Sequence, residues 1–451
     1  MRYTPFDNSL MDISPTDLAV LRDVYEGWYV EYKSEAVKPR ALAKSLSSFA
    51  NQYGGLLFIG IMSDTQTNVA HNFPGVADSD VPTIVESLRN ATKDLLNPPV
   101  FYTTRIFEGP IKSVGLNQGR SIIVADIPQG PDTPYVHNDG RIYRRIGDSS
   151  DPKPVTDRAT FDILSQRGER ARLRLEDRIL RSPTISKGED EQPFVHFSIL
   201  SDPYEVMGHW YDRNITDFSK VMREPSLPFD NIFSKSNGYI ARQTTYNDPR
   251  NRVLTWEFSR QCHSFVTLPI PILSAVGSGT AWSTYTTGQD FISLFNHESL
   301  RTIRILDLNL MLDACEGIIR RHRILVDQAN VTGPFYIKAY IENVWRTIPF
   351  LDLPDFLNHI SEFGLPIIQD NEVIVPDGTS LETFVMAPES NTAPDKLPPY
   401  VTPGPIEITG AILKALGIPG DTLVKSSNTL LELGPRRMKV QQSSRLPDVQ
   451  S

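Results

Sequence analysis

The stretch GGLLFIGI, residues 54–61, decides how the first part of this chain folds. Its apolar run from Leu56 to Ile61 is too short for an ordinary helix and has the length of a buried strand. The two preceding glycines suit a turn into that strand, because glycine adopts turn conformations at low steric cost. We therefore predict a buried strand that follows a helix.

The residues before this strand predict two helices with a strand between them. Ser14-Pro15-Thr16-Asp17 has the pattern of a capped helix start. From Trp28 to Lys33 side chains alternate in the manner of a strand. A helix follows from Pro39, because apolar residues then recur at helical spacing, at Leu42, Leu46, Phe49 and Ala50.

The remaining periodicity predicts a mixed α/β unit followed by an α+β unit. In the first unit we expect a helix after Pro82 and strands at Val100–Phe107, Ser121–Ile127 and Arg141–Ile146. A charged helix from Arg167 to Arg181 follows. In the second unit we expect at least one long helix within Asp290–Gln328, and strands at Phe194–Leu200, Gly238–Tyr246, Val253–Phe258, Phe265–Ile272 and Phe335–Val344.

A chain of 451 residues has the length of two or three domains. We predict the first domain over residues 14–170 and a second α+β domain over residues 192–385. A charged helix and linker would occupy residues 171–191. A proline-rich linker and flexible tail would occupy residues 386–451, with one short amphipathic helix within it at Ile406–Leu416.

The composition argues against several functional classes. A net charge of −9 argues against binding nucleic acid by bulk charge, so such binding needs a local basic patch. The two cysteines, Cys262 and Cys315, lie far apart and suit a reducing compartment. The chain shows neither a signal peptide nor an apolar run of about 18 residues, so we expect a cytoplasmic protein without membrane contact. The phosphate-loop pattern does not occur, so we predict no nucleotide cofactor.

Several short motifs follow one another in order along the predicted first domain. They are Glu26, Glu31-Tyr32-Lys33, Ser48-Phe49-Ala50-Asn51, Gly54-Gly55 before the strand ending Ile59-Gly60-Ile61, Asn97-Pro98-Pro99, Pro134-Tyr135, and the segment from Ile142 to Ser150. This ordered set resembles the Schlafen AlbA domain family. That family shows a glutamate, Glu-Phe-Lys, Phe-Ala-Asn, Gly-Gly and a closing Tyr-x-Arg-x-Gly-Ser. The resemblance implies a mixed sheet with helices that binds nucleic acid.

The resemblance also implies a candidate catalytic site. Schlafen proteins use a similar domain to cleave structured RNA, with three acidic residues and a divalent metal. Two of these acids correspond to Glu26 and Glu31, and Asp64 is the nearest candidate for the third. Mg²⁺ or Mn²⁺ would be the metal, since hard cations take oxygen ligands. Lys33 shares a strand face with Glu31 and would steady charge on a phosphate. Equally, these groups have the character of solvated ion pairs, and Asp64 suits the start of a turn.

Basic residues near the end of the domain are candidates for phosphate contacts. Arg141, Arg144 and Arg145 lie on or beside a predicted strand, and arginine binds phosphate in a bidentate manner. With Lys33 they form the predicted nucleic-acid-binding set. An ion pair at the edge of the core is the alternative for one of them.

Three functions remain open from the sequence. The chain is a metal-dependent ribonuclease, or a DNA- or RNA-binding regulator or defence sensor that does not cut, or a scaffold for other proteins. Schlafen cores join two related lobes into a clamp, and this chain has one copy of the Glu-x-Lys and Phe-Ala-Asn motifs. We therefore expect a homodimer that completes the clamp.

Overall fold

The computed structural model describes the following residues: 4–6, 10, 13–146, 151–180, 192–205, 208–223, 227, 229–244, 252–275, 282–295, 302–331, 334–377, 382–386, 404–426 and 428–433. The predicted linker at 181–191, and 387–403 and 434–451 of the predicted tail, lie outside these ranges. The chain divides into two compact units, Met1–Arg174 and Leu175–Ser451. Both combine helices with β-sheets, which confirms the predicted fold class. Within the described ranges, no helix is long and apolar enough to cross a membrane.

The first unit alternates short strands with helices. Two 3₁₀ helices span Pro15–Asp23 and Asp78–Asp80. The α-helices are α1 (Pro39–Asn51) and α2 (Val81–Leu95), and α3 (Arg158–Ile179) begins in this unit and ends beyond its last residue, Arg174. The strands are β1 (Val30–Lys33), β2 (Gly55–Ile59), β3 (Met62–Ser63), β4 (Ala70–Asn72), β5 (Val76–Ala77), β6 (Leu96–Asn97), β7 (Thr103–Glu108), β8 (Arg120–Ile127), β9 (Val136–His137), β10 (Tyr143–Arg144) and β11 (Lys153–Pro154).

Local sequence signals explain where the first helices begin. The Ser14 hydroxyl accepts a hydrogen bond from the Thr16 N–H, and the Asp17 carboxylate accepts one from the Ser14 N–H. Pro39 occupies the first turn of α1, where the missing N–H costs nothing. The predicted start of α3 at Arg167 is wrong, because the helix begins at Arg158.

The main sheet of the first unit is covered on both faces. Its strands run in the order β1-β2-β8-β5, and β7 also pairs with β8. β1 and β2 are parallel, with Glu31 opposite Leu57, while the other pairs are antiparallel. Helices α1 and α2 supply the core on one face, and the segment around Leu18 and Leu21 supplies it on the other. Every residue of β2 is therefore buried, as the predicted strand requires.

The second unit also combines α-helices with strands, and residues 428–433 are helical besides the helices named next. The helices are α4 (Ile215–Met222), α5 (Gly288–Ser293), α6 (Met311–Asp327), α7 (Pro354–Phe363), α8 (Pro405–Ala415) and α9 (Gly420–Lys425). The strands are β12 (Phe194–Leu200), β13 (Asn231–Lys235), β14 (Gly238–Arg242), β15 (Thr255–Ser259), β16 (His263–Pro269), β17 (Ile272–Ser274), β18 (Arg304–Asp307), β19 (Phe335–Glu342), β20 (Ile348–Phe350), β21 (Glu372–Val375) and β22 (Phe384–Met386).

A large sheet organises the second unit. Its order is β13-β14-β15-β16-β12-β19-β21, with β22 also paired to β19. β12 lies between β16 and β19, antiparallel to both, and all of its residues are buried. A smaller sheet has the order β17-β18-β20. The long helix expected within Asp290–Gln328 is α6, and β18 precedes it in the same segment.

The short helix expected at Ile406–Leu416 is α8, and α9 follows it within the segment that we expected to be flexible. Helix α8 buries Ile408, Ile412 and Leu413 in the core of the second unit. Leu423 of α9 joins the same core. The physical reason is the apolar face of α8, because burying that face away from water stabilises the folded chain.

Candidate functional site

Glu31 lies in a buried network of side chains. Its side chain is 1% exposed, although it carries a carboxylate. One oxygen lies 2.8 Å from Arg145 Nη1. The other lies 2.8 Å from Lys33 Nζ and accepts a hydrogen bond of 2.9 Å from the Ser45 hydroxyl. Both oxygens are therefore engaged, and two cations neutralise the charge.

Arg145 is the buried partner of Glu31 rather than a surface group. Its side chain is fully buried and packs over the Phe49 ring, with the guanidinium carbon 4.3 Å from the ring centre. Its Nε donates a hydrogen bond of 2.6 Å to the Gly27 carbonyl. Arg144 immediately before it is half-exposed, as expected where successive side chains point to opposite faces. The structure thus places Arg145 away from the surface where we predicted a phosphate contact.

Glu26 caps the outer edge of β1. One carboxylate oxygen accepts a hydrogen bond of 2.9 Å from the Tyr32 N–H. The other accepts one of 3.1 Å from the Ser63 hydroxyl. β1 is the edge strand of the sheet, so Glu26 satisfies a backbone donor that would otherwise be left at that edge. The buried Glu26 carboxylate therefore has a structural role.

Asp64 closes a turn beyond β3. Its carboxylate accepts hydrogen bonds from the Thr67 N–H (2.8 Å), the Gln66 N–H (2.9 Å) and the Thr67 hydroxyl (3.0 Å). These donors hold the pKa of the Asp64 carboxyl below its usual value. The neighbouring residue Ser63, rather than Asp64, contacts Glu26.

The donor set does not fit the predicted Mg²⁺ or Mn²⁺. Across the part of the chain that the structure describes, no group of three histidine, cysteine, aspartate or glutamate side chains is placed to hold a metal. At Glu31 the cations Lys33 and Arg145 already occupy positions beside the carboxylate. A divalent cation there would have to displace them and would be repelled by their charge.

Basic side chains surround the middle of α1. Lys33 Nζ and the Ser45 hydroxyl both contact the same oxygen of Glu31, so Lys33 lies beside α1. Lys44, the residue before Ser45, places its Nζ 5.1 Å from the centre of the Tyr143 ring. Lys33 and Lys44 therefore flank the same stretch of α1, and β10 lies next to it.

The hairpin of β10 and β11 extends this basic surface. Arg144 pairs in register with Lys153, and Arg144 Nη2 lies 3.3 Å from an oxygen of Asp157. Arg141 precedes the hairpin and is exposed. We call this set the basic strip: Lys33, Lys44, Arg141, Arg144 and Lys153.

Besides Glu31 and Asp157, the carboxylate of Asp139 lies beside the basic strip. Burial disfavours its ionised form, but hydrogen bonds from the Tyr143 hydroxyl, the Arg141 N–H and His137 outweigh burial and lower its pKa to about 2. The hydroxyl hydrogen bond is 2.7 Å long and the one from the Arg141 N–H is 3.0 Å. Asp139 therefore fixes the turn that presents Arg141.

Asn51 joins the end of α1 to two distant segments. Its amide nitrogen donates to the Tyr135 carbonyl (2.9 Å) and the Tyr143 carbonyl (3.0 Å). Its amide oxygen accepts a hydrogen bond of 2.8 Å from the Tyr135 N–H. The side chain is fully buried, so these three hydrogen bonds replace those lost to water.

At Gly54 and Gly55 the backbone lies so close to neighbouring atoms that a side chain would clash with them. Gly54 has a φ of +77°, and a Cβ there would lie 2.6 Å from the Ile127 carbonyl oxygen. A Cβ on Gly55 would lie 2.4 Å from the Phe49 ring. The two glycines let the chain pass from α1 into β2 against β8, which explains why this motif accompanies Phe49 and Asn51.

These buried contacts unite the motifs that carry the resemblance into one scaffold. Residues 26–154 match the family model for the Schlafen, AlbA_2 domain. The match lies within the predicted first domain, so the resemblance is confirmed for the N-terminal third of the chain. No curated protein matches this chain.

Two solved structures resemble part of this chain. A crystal structure of a Corynebacterium diphtheriae protein is 18% identical, covers 31% of this chain and 24% of its own, and has a TM-score of 0.22. A solution structure of the N-terminal domain of a DNA helicase RecG-related protein from Nitrosomonas europaea is 22% identical, with coverage of 32% and 96% and a TM-score of 0.23. The chain spans about a quarter of the Corynebacterium protein's length.

The AlbA_2 domain also carries features that sequence reasoning missed. Lys44 gave no signal beyond its charge, since its neighbour Tyr143 is distant in sequence. A cluster of three aromatic rings was missed as well. It consists of Trp28, Tyr29 and Tyr53. Trp28 and Tyr29 appeared as alternating strand residues, and nothing in the sequence placed them beside Tyr53.

Proposed function

We propose that the AlbA_2 domain binds nucleic acid through the basic strip and does not cut it. The observation that carries the proposal is the chain of contacts from Lys33 through α1 to the β10–β11 hairpin. These contacts bring cationic side chains close to α1 and to the β10–β11 hairpin, in a protein whose net charge is −9. Phosphates attract such a patch, and backbone contacts supply most of the affinity in non-specific binding.

Binding is favoured over cutting because the candidate acids are already engaged. Glu31 is paired with Arg145, and Glu26 caps β1. A metal-dependent nuclease needs carboxylates with oxygens available to the ion. The Glu31–Arg145 pair instead supports a role in holding β1, α1 and the segment after β10 together.

The test uses the full chain and labelled nucleic acids. Fluorescence anisotropy would measure binding of single-stranded RNA, a transfer-RNA-like hairpin and duplex DNA at several salt concentrations, with Mn²⁺ or with chelator. Gel electrophoresis of the same samples would detect cutting. We expect binding that weakens steeply with salt and no metal-dependent product. Lys44→Glu and Arg141→Glu should each weaken binding about tenfold and lower the salt slope by roughly one.

Lys112→Glu is the matched control. Lys112 is exposed and lies in a turn whose apolar residues pack on the other face of the sheet. This variant has the same change of net charge and should bind as the wild type does. Equal losses in all three variants would reduce the effect to bulk charge and contradict the strip. Cutting by the wild type that requires Mn²⁺ and stops with chelator would establish the nuclease instead. Homodimerisation remains a prediction, which light scattering with and without nucleic acid would check.

A further inference from the structure

The second feature of the AlbA_2 domain that could contact nucleic acid is the aromatic platform: Trp28, Tyr29 and Tyr53. The Tyr53 ring is 50% exposed and stands between the other two. Its centre lies 5.8 Å from that of Trp28 and 6.0 Å from that of Tyr29, at interplanar angles of 49° and 37°. Trp28 and Tyr29 are half-buried, so the rings support one another while Tyr53 faces solvent.

Arginines fix the backbone on both sides of this platform. Arg145 Nε donates to the Gly27 carbonyl, directly before Trp28, over 2.6 Å. Arg167 Nη1 donates over 3.0 Å to the Gln52 carbonyl, directly before Tyr53. Arg167 also donates to the two preceding carbonyls, at the end of α1. The platform is therefore held in place before any ligand arrives, which lowers the entropic cost of binding.

Positive charge accompanies the rings. Arg170 lies three residues beyond Arg167 on α3, on the same helix face, and is exposed. Lys44 of the basic strip lies in the middle of α1. Seven residues separate Lys44 from the end of α1 at Asn51, which is about 10 Å at roughly 1.5 Å per residue. The two helices whose residues border the platform, α1 and α3, therefore both carry cations.

We propose that this platform stacks the bases of single-stranded nucleic acid while the basic strip holds its phosphates. Alternation of stacking rings with cations is the arrangement by which proteins bind single strands without reading their sequence. A duplex hides its base faces in the helical stack, so it uses the strip alone. The platform rests on the proposed function and adds to it a preference for single strands.

The experiment compares two single strands of equal charge, one with bases and one with abasic positions. The wild type should bind the base-bearing strand about tenfold more tightly, since stacking of one base is worth roughly that factor. Tyr53→Ala and Trp28→Leu should abolish most of that ratio and leave duplex binding unchanged. Tyr53→Phe keeps the ring and should stay within about twofold of the wild type.

Tyr25→Ala is the matched control, because Tyr25 is 69% exposed and lies outside the platform. It should keep the full ratio. A 5-iodouracil photocrosslink located by mass spectrometry should fall on Tyr53 or Trp28. If Lys44→Glu weakens binding but Tyr53→Ala and Trp28→Leu keep the ratio between the two strands, the platform is overturned while the proposed function stands. If neither single strands nor duplex bind, the proposed function fails, and the platform with it.

Discussion

Replacing Glu31 by glutamine tests whether this residue is a structural ion-pair partner or a metal ligand. Glu31→Gln preserves the shape of the side chain and an acceptor for the Ser45 hydroxyl. It removes the negative charge beside Arg145, whose side chain is fully buried. Breaking a buried ion pair from one side costs about 3–5 kcal/mol, because it leaves an uncompensated charge in the interior. We expect the lower end, about 3 kcal/mol, since the glutamine oxygen can still accept a hydrogen bond.

The reciprocal variant, Arg145→Met, should cost more. It leaves Lys33 as the cation beside Glu31, and Lys33 stabilises the carboxylate less because it is one-third exposed to water. It also removes the hydrogen bond to the Gly27 carbonyl and the contact with the Phe49 ring, each worth about 1 kcal/mol. We therefore expect a loss of about 4–5 kcal/mol. The double variant should be less destabilised than the sum by at least about 1 kcal/mol, because neither charge is then buried alone.

Hydrogen exchange followed by mass spectrometry is the suitable assay. The chain has two units, so a single unfolding transition would mix them. The amides of β2 are buried and pair with β1 and β8, so their protection reports on the first unit. A loss of 3 kcal/mol lowers that protection about 100-fold. Lys33→Met, which removes the more exposed partner of Glu31, should change it less than tenfold.

The reasoning would be refuted if Glu31→Gln left the protection of β2 within about twofold of the wild type. Strict additivity in the double variant would refute it equally. Acidic side chains gathered for a metal repel one another, and removing one of them stabilises a protein or leaves it unchanged. Either of these outcomes would favour Glu31 as a metal ligand.

Three further predictions concern the scaffold and the second unit. Asn51→Ala removes three buried hydrogen bonds and should lower the stability of the first unit by about 2–4 kcal/mol, measured by the same exchange of β2 amides; a loss below about 1 kcal/mol would contradict it. Gly55→Ala places a Cβ 2.4 Å from the Phe49 ring and should lower the stability of the first unit by about 1–3 kcal/mol in that measurement. Phe49→Leu should restore part of this stability in the double variant. Unchanged stability in Gly55→Ala would show that the ring moves freely. Burial lowers the pKa of both His263 and His322 to about 3. These side chains therefore stay neutral in the folded protein, whereas in the unfolded chain they bind protons once the pH falls below the ordinary histidine pKa. The second unit should therefore lose stability as the pH falls from about 6.5 to about 3, by up to about 1.4 kcal/mol per pH unit for each histidine. Urea unfolding of a Trp28→Phe variant, whose remaining tryptophans all lie in the second unit, would show this by fluorescence, since Trp256 hydrogen-bonds Ser264, which contacts His322. A slope that His322→Gln leaves unchanged would contradict it.

The sequence predicted those parts of the fold that depend on neighbours along the chain. The capping of the first helix by Ser14 and Asp17, the start of α1 at Pro39 and the buried strand after Gly55 all follow from local rules. β12 was predicted with its observed bounds, because its apolar run is bounded on both sides by polar or turn residues.

The site was harder to predict because its contacts are distant in sequence. Arg145 is 114 residues from Glu31, and both had been assigned to other partners, a phosphate and a metal. A buried ion pair and a catalytic pair use the same residue types, so composition and spacing do not distinguish them. Burial does, and burial depends on how α1 and the segment after β10 pack.

The placement of the motifs also limits what a resemblance to the AlbA_2 family can establish. Glu31, Asn51, Gly54 and Gly55 are the residues that carry the resemblance, and in the structure they hold β1, α1 and β2 together. A match built on such residues establishes the fold, because these residues hold its elements together whatever the chain binds. Function has to be tested at side chains that the scaffold does not require. Lys44 and Tyr53 are such side chains, since one is half-buried against Tyr143 and the other is half-exposed. Variants at these two positions therefore separate binding from folding, whereas variants at Glu31 do not.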